Sequence, residues 1–431
     1  MLTLTVLLLP LFSVVAARNR HSHDHSHGVA KRLPDAWYHP DDHPVHALFK
    51  RGGATDGLTY PAVGSNEWTQ AYPAGPPNSP KTVPAEWTAA LNDAIARKAI
   101  PDIPVAQANG DNNPSYPGHD PNSPEICSAT YKCRIPGDIW DAPDGYLGIS
   151  FDDGPEQGSD ALLTFLSTNK QPVTHFMIGS NIVFMPDQFT KAFNMGNDIA
   201  VHTWTHPHMT TRTNEEVLGE LGWTIEIIHN STGGRVPKYW RPPYGDSDVR
   251  TTAIAREVFG LTTIIWNQDT GDWSLTAKGG TTPQAINSSM TQWLTGSKSP
   301  GLIILEHELS TESVASFVAA YPIMQQNNWK LASLAQLMGG NASYQNAANN
   351  LSPVNPANNI LGAKSAPAPV ASSTTKSAGP PNSAKVAAQQ TSAKGSPSTS
   401  ANTPNKSSAA APSWAKPPMG LLSAIAFLSL F

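Results

Sequence analysis

The chain has 431 residues, a formal net charge of −5 and 39% hydrophobic residues, with 39 prolines and 32 glycines. The acidic balance and the lack of a basic, aromatic-laced patch exclude an electrostatic nucleic-acid binder. Two cysteines alone cannot supply the thiolates of a cysteine metal site.

Residues 1–17 read as a secretory signal peptide: Leu2 to Val15 is apolar, and Val15-Ala16-Ala17 offers small residues before Arg18. Residues 18–60 form a leader in which His21, His23, His25 and His27 alternate with polar residues. A flexible, non-catalytic tract is expected there, with loose metal holding as the alternative. Lys31-Arg32 and Lys50-Arg51 are dibasic pairs open to secretory processing. Residues 61–143, rich in Pro, Gly and Asn, read as an extended arm on the main domain, broken by one helical piece at 84–99. Cys127 and Cys133 lie in this arm, and an oxidising compartment would pair them in a small loop.

From 144 to 340 the pattern alternates. Strand-like runs fall at 146–151, 173–178, 198–202, 261–266 and 301–306, with weaker ones at 238–241 and 329–332. Between them, 213–229 opens with Thr213 and Glu216 in capping-box spacing, and Pro283 suits the first position of another helix. Repeated strand–helix units predict an α/β fold with a parallel sheet or barrel, its chemistry at the carboxyl ends of the strands. Residues 341–411, dominated by Ser, Thr, Ala, Pro and Asn, read as an unstructured, O-glycosylated stalk. The apolar tail Met419–Phe431 is short of the roughly 20 residues a spanning helix needs. With small residues at Ser407-Ser408-Ala409-Ala410 and a spacer between, 412–431 reads as a glycosylphosphatidylinositol signal with attachment at Ser408. A membrane-docking tail helix is the alternative. Sequons at Asn230, Asn287, Asn341, Asn350 and Asn405 are compatible with export.

The chemistry sits at the strand ends. Asp152 and Asp153 close the first run, and at a strand end adjacent side chains point different ways, so the two can divide their tasks. His202 and His206 close the third; their spacing predicts neighbours on a helical turn, with His208 a rival. One Asp and two His make a three-ligand set suited to Zn²⁺, with a position left for water. Arg241, in the proline-locked run Arg241-Pro242-Pro243-Tyr244-Gly245-Asp246, is expected to fork onto a carboxylate or to serve as a structural turn residue. Asp269-Thr270-Gly271-Asp272-Trp273 follows the run at 261–266. His307 ends the apolar run Leu302–Leu305, and beside a metal site it reads as a general acid.

In this order, Ser-Phe-Asp-Asp-Gly-Pro, His-Thr-x-x-His, Arg-Pro-Pro-Tyr-Gly-Asp, Asp-x-x-Asp-Trp and Leu-x-His resemble the polysaccharide deacetylase family. This is the NodB-homology group, carbohydrate esterase family 4, and the resemblance covers roughly 146–338. With its ends, the whole chain resembles the fungal chitin deacetylases of that family. The resemblance implies a distorted (β/α) barrel, with Asp152 as base and His307 as acid. It implies Asp153, His202 and His206 as ligands of one divalent metal, Zn²⁺ or Co²⁺. Arg241 would hold Asp152, Tyr244 would lend its backbone N–H to an oxyanion, and Asp272 would tune His307. Trp273 and Leu305 would wall the acetyl methyl. The one departure is Ser150, where the family more often has Thr. The implied enzyme is a monomer that removes N-acetyl groups from chitin or chito-oligosaccharides, leaving chitosan and acetate. It is expected to be secreted and lipid-anchored at the plasma membrane or cell wall. A silent wall-binding protein and an esterase for acetylated xylan or peptidoglycan are the rival functions.

Overall fold

The computed structural model describes residues 39, 42–49, 60–110, 112–338, 340 and 342–354. The signal peptide, nearly all of the leader, Asn341, Asn405, Ser408 and the tail at 412–431 lie outside them. The arm wraps the main domain through two helices, Asn66–Gln70 and Ala85–Ala96, and an antiparallel hairpin of β1 (Gln107–Asn109) and β2 (Asn112–Ser115). Pro84, with its fixed φ, leads into the second helix, which buries Trp87, Leu91 and Ala94. The Trp87 ring sits edge-on to Phe259 and Trp223. It also lies directly against Gly222 of the helix Asn214–Ser231, where a Cβ would come within 2.2 Å of it. The arm thus fills a slot that only glycine leaves open.

Eight parallel strands follow: β3 (Tyr146–Gly154), β4 (Thr174–Met177), β5 (Asp198–Val201), β6 (Tyr239–Trp240), β7 (Thr262–Thr263), β8 (Gln268–Asp269), β9 (Leu302–Leu305) and β10 (Lys330–Ser333). Their order is β7-β6-β5-β4-β3-β9-β8. One edge of β3 is shared, Tyr146–Ile149 pairing with β10 and Ser150–Gly154 with β4. β7 and β8 stand at opposite ends of this order yet belong to one short segment. The sheet therefore curls until its two ends approach, which makes the distorted (β/α) barrel. Leu147, Ile149 and Phe151 point outward onto the helices Ser159–Asn169 and Thr311–Gln326, while Phe176, Ala200, Tyr239 and Ile303 form a separate cluster on the other side.

The strand expected at 261–266 is broken after Thr263. Ile139 of the arm takes the hydrogen bonds there: its N–H donates to Thr263 O at 2.9 Å and its O accepts from Ile265 N–H at 2.8 Å. The capping box at Thr213 and Glu216 forms as the spacing predicts, and Pro283 opens the helix Pro283–Leu294.

The chain at 342–354 folds against the barrel instead of starting a stalk. Tyr344, Gln345 and Asn346 are buried. Gln345 Nε2 donates to the carbonyls of Pro237 and Phe259, and Asn346 Oδ1 accepts from Val236 N–H. These buried amides accompany only a small apolar cluster of Tyr344, Ala347 and Val354 on Phe193, so composition gives little warning. The sequon residue Asn350 belongs to the same network: its Nδ2, the atom a glycan would use, donates to Phe193 O and Asn197 O. In the folded chain it offers no free amide. Asn287 is exposed, and the Asn230 amide bonds Glu226.

Gly222→Ala should drive a methyl into the Trp87 ring. Overpacking of this kind costs about 1–3 kcal/mol, so thermal unfolding should show a lowered Tm. An unchanged Tm would mean that the arm does not dock through Trp87.

Candidate active site

The five motifs converge at the carboxyl end of the sheet. β3 ends with Asp152 extended and Asp153 at φ +70, and this change of backbone sends the two carboxylates different ways. The β9 segment runs on beside β3: Asp152 N–H donates to Glu306 O at 3.0 Å and Glu308 N–H to Asp152 O at 3.3 Å. His307 is thereby set directly across from Asp152. Below them, fully buried Glu308 accepts from Ser159 Oγ at 2.5 Å and lies 2.6 Å from His175 Nδ1. A Cβ on residue 154 would sit 2.0 Å from Glu308 Oε1, which explains the glycine after the aspartate pair.

Asp153 Oδ1 lies 3.2 Å from His202 Nε2 and 3.1 Å from His206 Nε2. Despite these short distances it is a buried oxygen without an aligned hydrogen-bond donor. Burial works against the charge on Asp153, yet positive charge on the rings of His206 and, less strongly, His307 holds its carboxyl well below the usual range. His202 Nδ1 donates to Arg241 O at 2.7 Å, which leaves the Nε2 lone pair facing Asp153. Among the described residues this is the group of three whose donor atoms, all within 4.8 Å of one another, fit one divalent cation.

The two histidines do not share a helical turn. They sit on a loop with Thr203 at φ +66 and His206 at φ +59, and Pro207 disfavours helix at the residue before it. Glu220 holds that loop. Its buried carboxylate accepts from the N–H groups of Trp204 (2.7 Å) and Thr205 (2.8 Å) and from Thr205 Oγ1 (2.5 Å). Sequence reasoning missed Glu220, although a carboxylate on the apolar face of the helix Asn214–Ser231 was a usable signal.

Arg241 does not fork onto Asp152. Its Nη1 meets Asp152 Oδ1 at 2.6 Å and Ser150 Oγ at 3.1 Å. Nε and Nη2 reach the carbonyls of Ile264 and Ile265 instead, and the guanidinium lies 4.2 Å from the centre of the Phe176 ring. Ser150 thus has a hydroxyl where one is needed. Across the site, Asp272 receives His307 twice, from Nδ1 at 2.6 Å and from the backbone N–H at 2.8 Å. Burial disfavours a charged imidazole, but the Asp272 carboxylate outweighs it and raises the His307 pKa to about 10.

Tyr244 occupies a turn at φ +59, its ring half exposed and stacked 4.1 Å over His208. His208 faces Asp246 at 3.7 Å and lies outside the three-atom set. Trp273 is half exposed, and Leu305 is buried at the end of β9.

A family model for polysaccharide deacetylases matches residues 141–263. Chitin deacetylase 3 of Cryptococcus neoformans var. neoformans is 39% identical over 314 residues, covering 71% of this chain and 73% of the relative. This chain belongs to the polysaccharide deacetylase family. Chitin deacetylase of Amylomyces rouxii is 34% identical over 276 residues, covering 60% of this chain and 64% of the relative. A family 4 carbohydrate esterase from Streptomyces lividans, solved with acetate, is 30% identical, covering 44% of this chain and 93% of that one, with a TM-score of 0.38. As a member of the family, the chain is a metal-dependent carbohydrate deacetylase.

Asp272 holds His307 protonated, so its removal should lower the histidine pKa. Because the acid is lost as pH rises, the alkaline limb of the kcat–pH profile of Asp272→Asn should move to lower pH by about one unit or more. Steady-state rates of the metal-loaded enzymes check this; an unmoved limb would assign that limb to another group.

Proposed function

We propose that this deacetylase hydrolyses the N-acetyl groups of N-acetylglucosamine residues in chitin, releasing acetate and leaving chitosan. One observation carries the chemistry: Asp152 is held by Arg241 beside the three-atom metal set, its Oδ2 3.9 Å from His202 Nε2, and directly across from His307. A base and an acid thus flank one cation site. The choice of polymer is supported by the two fungal chitin deacetylases that resemble this chain.

A divalent ion on Asp153, His202 and His206, zinc or cobalt, would supply Lewis acidity toward water and the acetamide carbonyl. Asp152 accepts the proton of the attacking water while Arg241 keeps the carboxylate aimed. The Tyr244 N–H donates to the oxygen that gains negative charge. His307 gives its proton to the departing nitrogen, and Asp272 balances the charge on the ring meanwhile. The products are the free amine of the sugar and acetate. Trp273 and Leu305 border the acetyl methyl.

Asp152→Asn should abolish acetate release from chito-oligomers, by at least ~10²-fold, while keeping bound metal. Asp153→Asn, His202→Ala and His206→Ala should lose metal and activity together. Equal metal loss in the two aspartate variants, read by elemental analysis, would contradict the division of roles.

The proposal also places the enzyme at the cell surface, secreted and lipid-anchored near Ser408; the apolar ends Leu2–Val15 and Met419–Phe431 support it. Phosphatidylinositol-specific phospholipase should release deacetylase activity from intact cells. A mature protein that retains its peptide through Phe431, seen by mass spectrometry, would rule the lipid out.

A further inference from the structure

The turn that carries Tyr244 is not held by its own motif alone. Tyr244 at φ +59 and Gly245 at φ +68 are consecutive left-handed residues. A bulky side chain in that region is strained and stays there only where its surroundings over-determine it. Two of those surroundings belong to the barrel. Trp266 lies against Gly245, where a Cβ would come within 2.9 Å of its ring. Asp246, fully buried, accepts from Thr210 N–H and from its hydroxyl at 2.9 Å.

The third belongs to the arm. Cys127 and Cys133 are bonded, and the loop they close contains a single 3₁₀ turn, Ala129–Tyr131, that packs on Pro243–Gly245. Two backbone hydrogen bonds fasten it just beyond the Tyr244 turn: Ala129 N–H donates to Ser247 O at 2.9 Å, and Val249 N–H donates to Ile126 O at 3.1 Å. Ala129 is buried with Trp140 and Ile265, and Ile265 is the residue whose carbonyl receives Arg241 Nη2. The loop is itself bent sharply at both ends, with Cys127 at φ +41 and Lys132 at φ +65, and the cross-link spans those bends. The metal-binding residues are anchored differently, by β3, Glu220 and the Arg241 carbonyl.

We infer that the disulfide-closed loop of the arm is a positioning element for catalysis, holding the Tyr244 N–H where negative charge develops on the substrate. This rests on the role given to Tyr244 in the proposed reaction. Loss of the loop's grip should leave substrate and metal binding in place and weaken only the stabilisation of the transition state.

Two full-chain variants test it. Ala129→Pro deletes the N–H that reaches Ser247. Proline suits the first position of the 3₁₀ turn, and Ser128 at ψ 127° is already extended as a residue before proline must be. Cys127→Ser/Cys133→Ser removes the cross-link. Losing an oxyanion donor outright costs 10²–10³ in kcat, so misplacing one should cost about tenfold in both variants. KM for chito-oligomers and zinc affinity should stay within about twofold of the wild type, since uniform binding is untouched. Affinity for a tetrahedral phosphonamidate analogue of the N-acetyl group should fall in parallel with kcat. A merely structural loop would lower Tm but leave kcat per zinc-loaded molecule, and the analogue's affinity, unchanged well below Tm. That result in both variants overturns the inference. The wild type on the same oligomers separates the causes: an inactive wild type refutes the deacetylation of chitin and the inference with it, whereas an active wild type with unaffected variants refutes the inference alone.

Discussion

Arg241 connects nearly every part of the site. Its guanidinium, wholly buried, holds Asp152 at 2.6 Å, and its own carbonyl receives His202 Nδ1 at 2.7 Å. One residue therefore sets the direction of the base and the tautomer of a metal-binding histidine. The remaining nitrogens reach the carbonyls of Ile264 and Ile265, on the stretch where the sheet is interrupted by the arm. Removing one partner of such a buried pair costs about 3–5 kcal/mol, because the other charge is left uncompensated. The Asp152–Arg241 pair engages Asp152 Oδ1 and leaves Oδ2 facing the cation site, 3.9 Å from His202 Nε2.

Four of the nine left-handed non-glycine residues among the described ones lie in the site: Asp153, Thr203, His206 and Tyr244. Each is restrained from outside its own motif: Asp153 through the β3–β9 zipper, the histidine loop by the Glu220 carboxylate, and the tyrosine turn by Trp266, Asp246 and the arm. The barrel supplies strand ends, while buried carboxylates and the arm hold the side chains at the required angles.

Much of this was legible in the sequence, because the chemistry lies in short motifs of polar residues that end apolar runs. Asp152, Asp153, His202, His206, Arg241, Asp272 and His307 meet in one place, and the capping box at Thr213 reads directly. What was not legible depends on contacts distant in sequence. The i, i+4 histidine spacing suggests a helix, but Pro207 and a carboxylate from another element make it a loop. The apolar run at 261–266 suggests one strand, but Ile139 competes for its hydrogen bonds. The polar stretch at 342–354 suggests a stalk, but its amides satisfy barrel carbonyls that no local pattern announces. Arg241 has the composition of a carboxylate fork and spends its other nitrogens on backbone.

Anomalous diffraction at the zinc edge from crystals of the zinc-loaded protein tests the division between the two aspartates most directly. The expected map has one peak bonded to Asp153 Oδ1, His202 Nε2 and His206 Nε2, with Asp152 still paired to Arg241. A peak bonded to Asp152, with its contact to Arg241 broken, would contradict it.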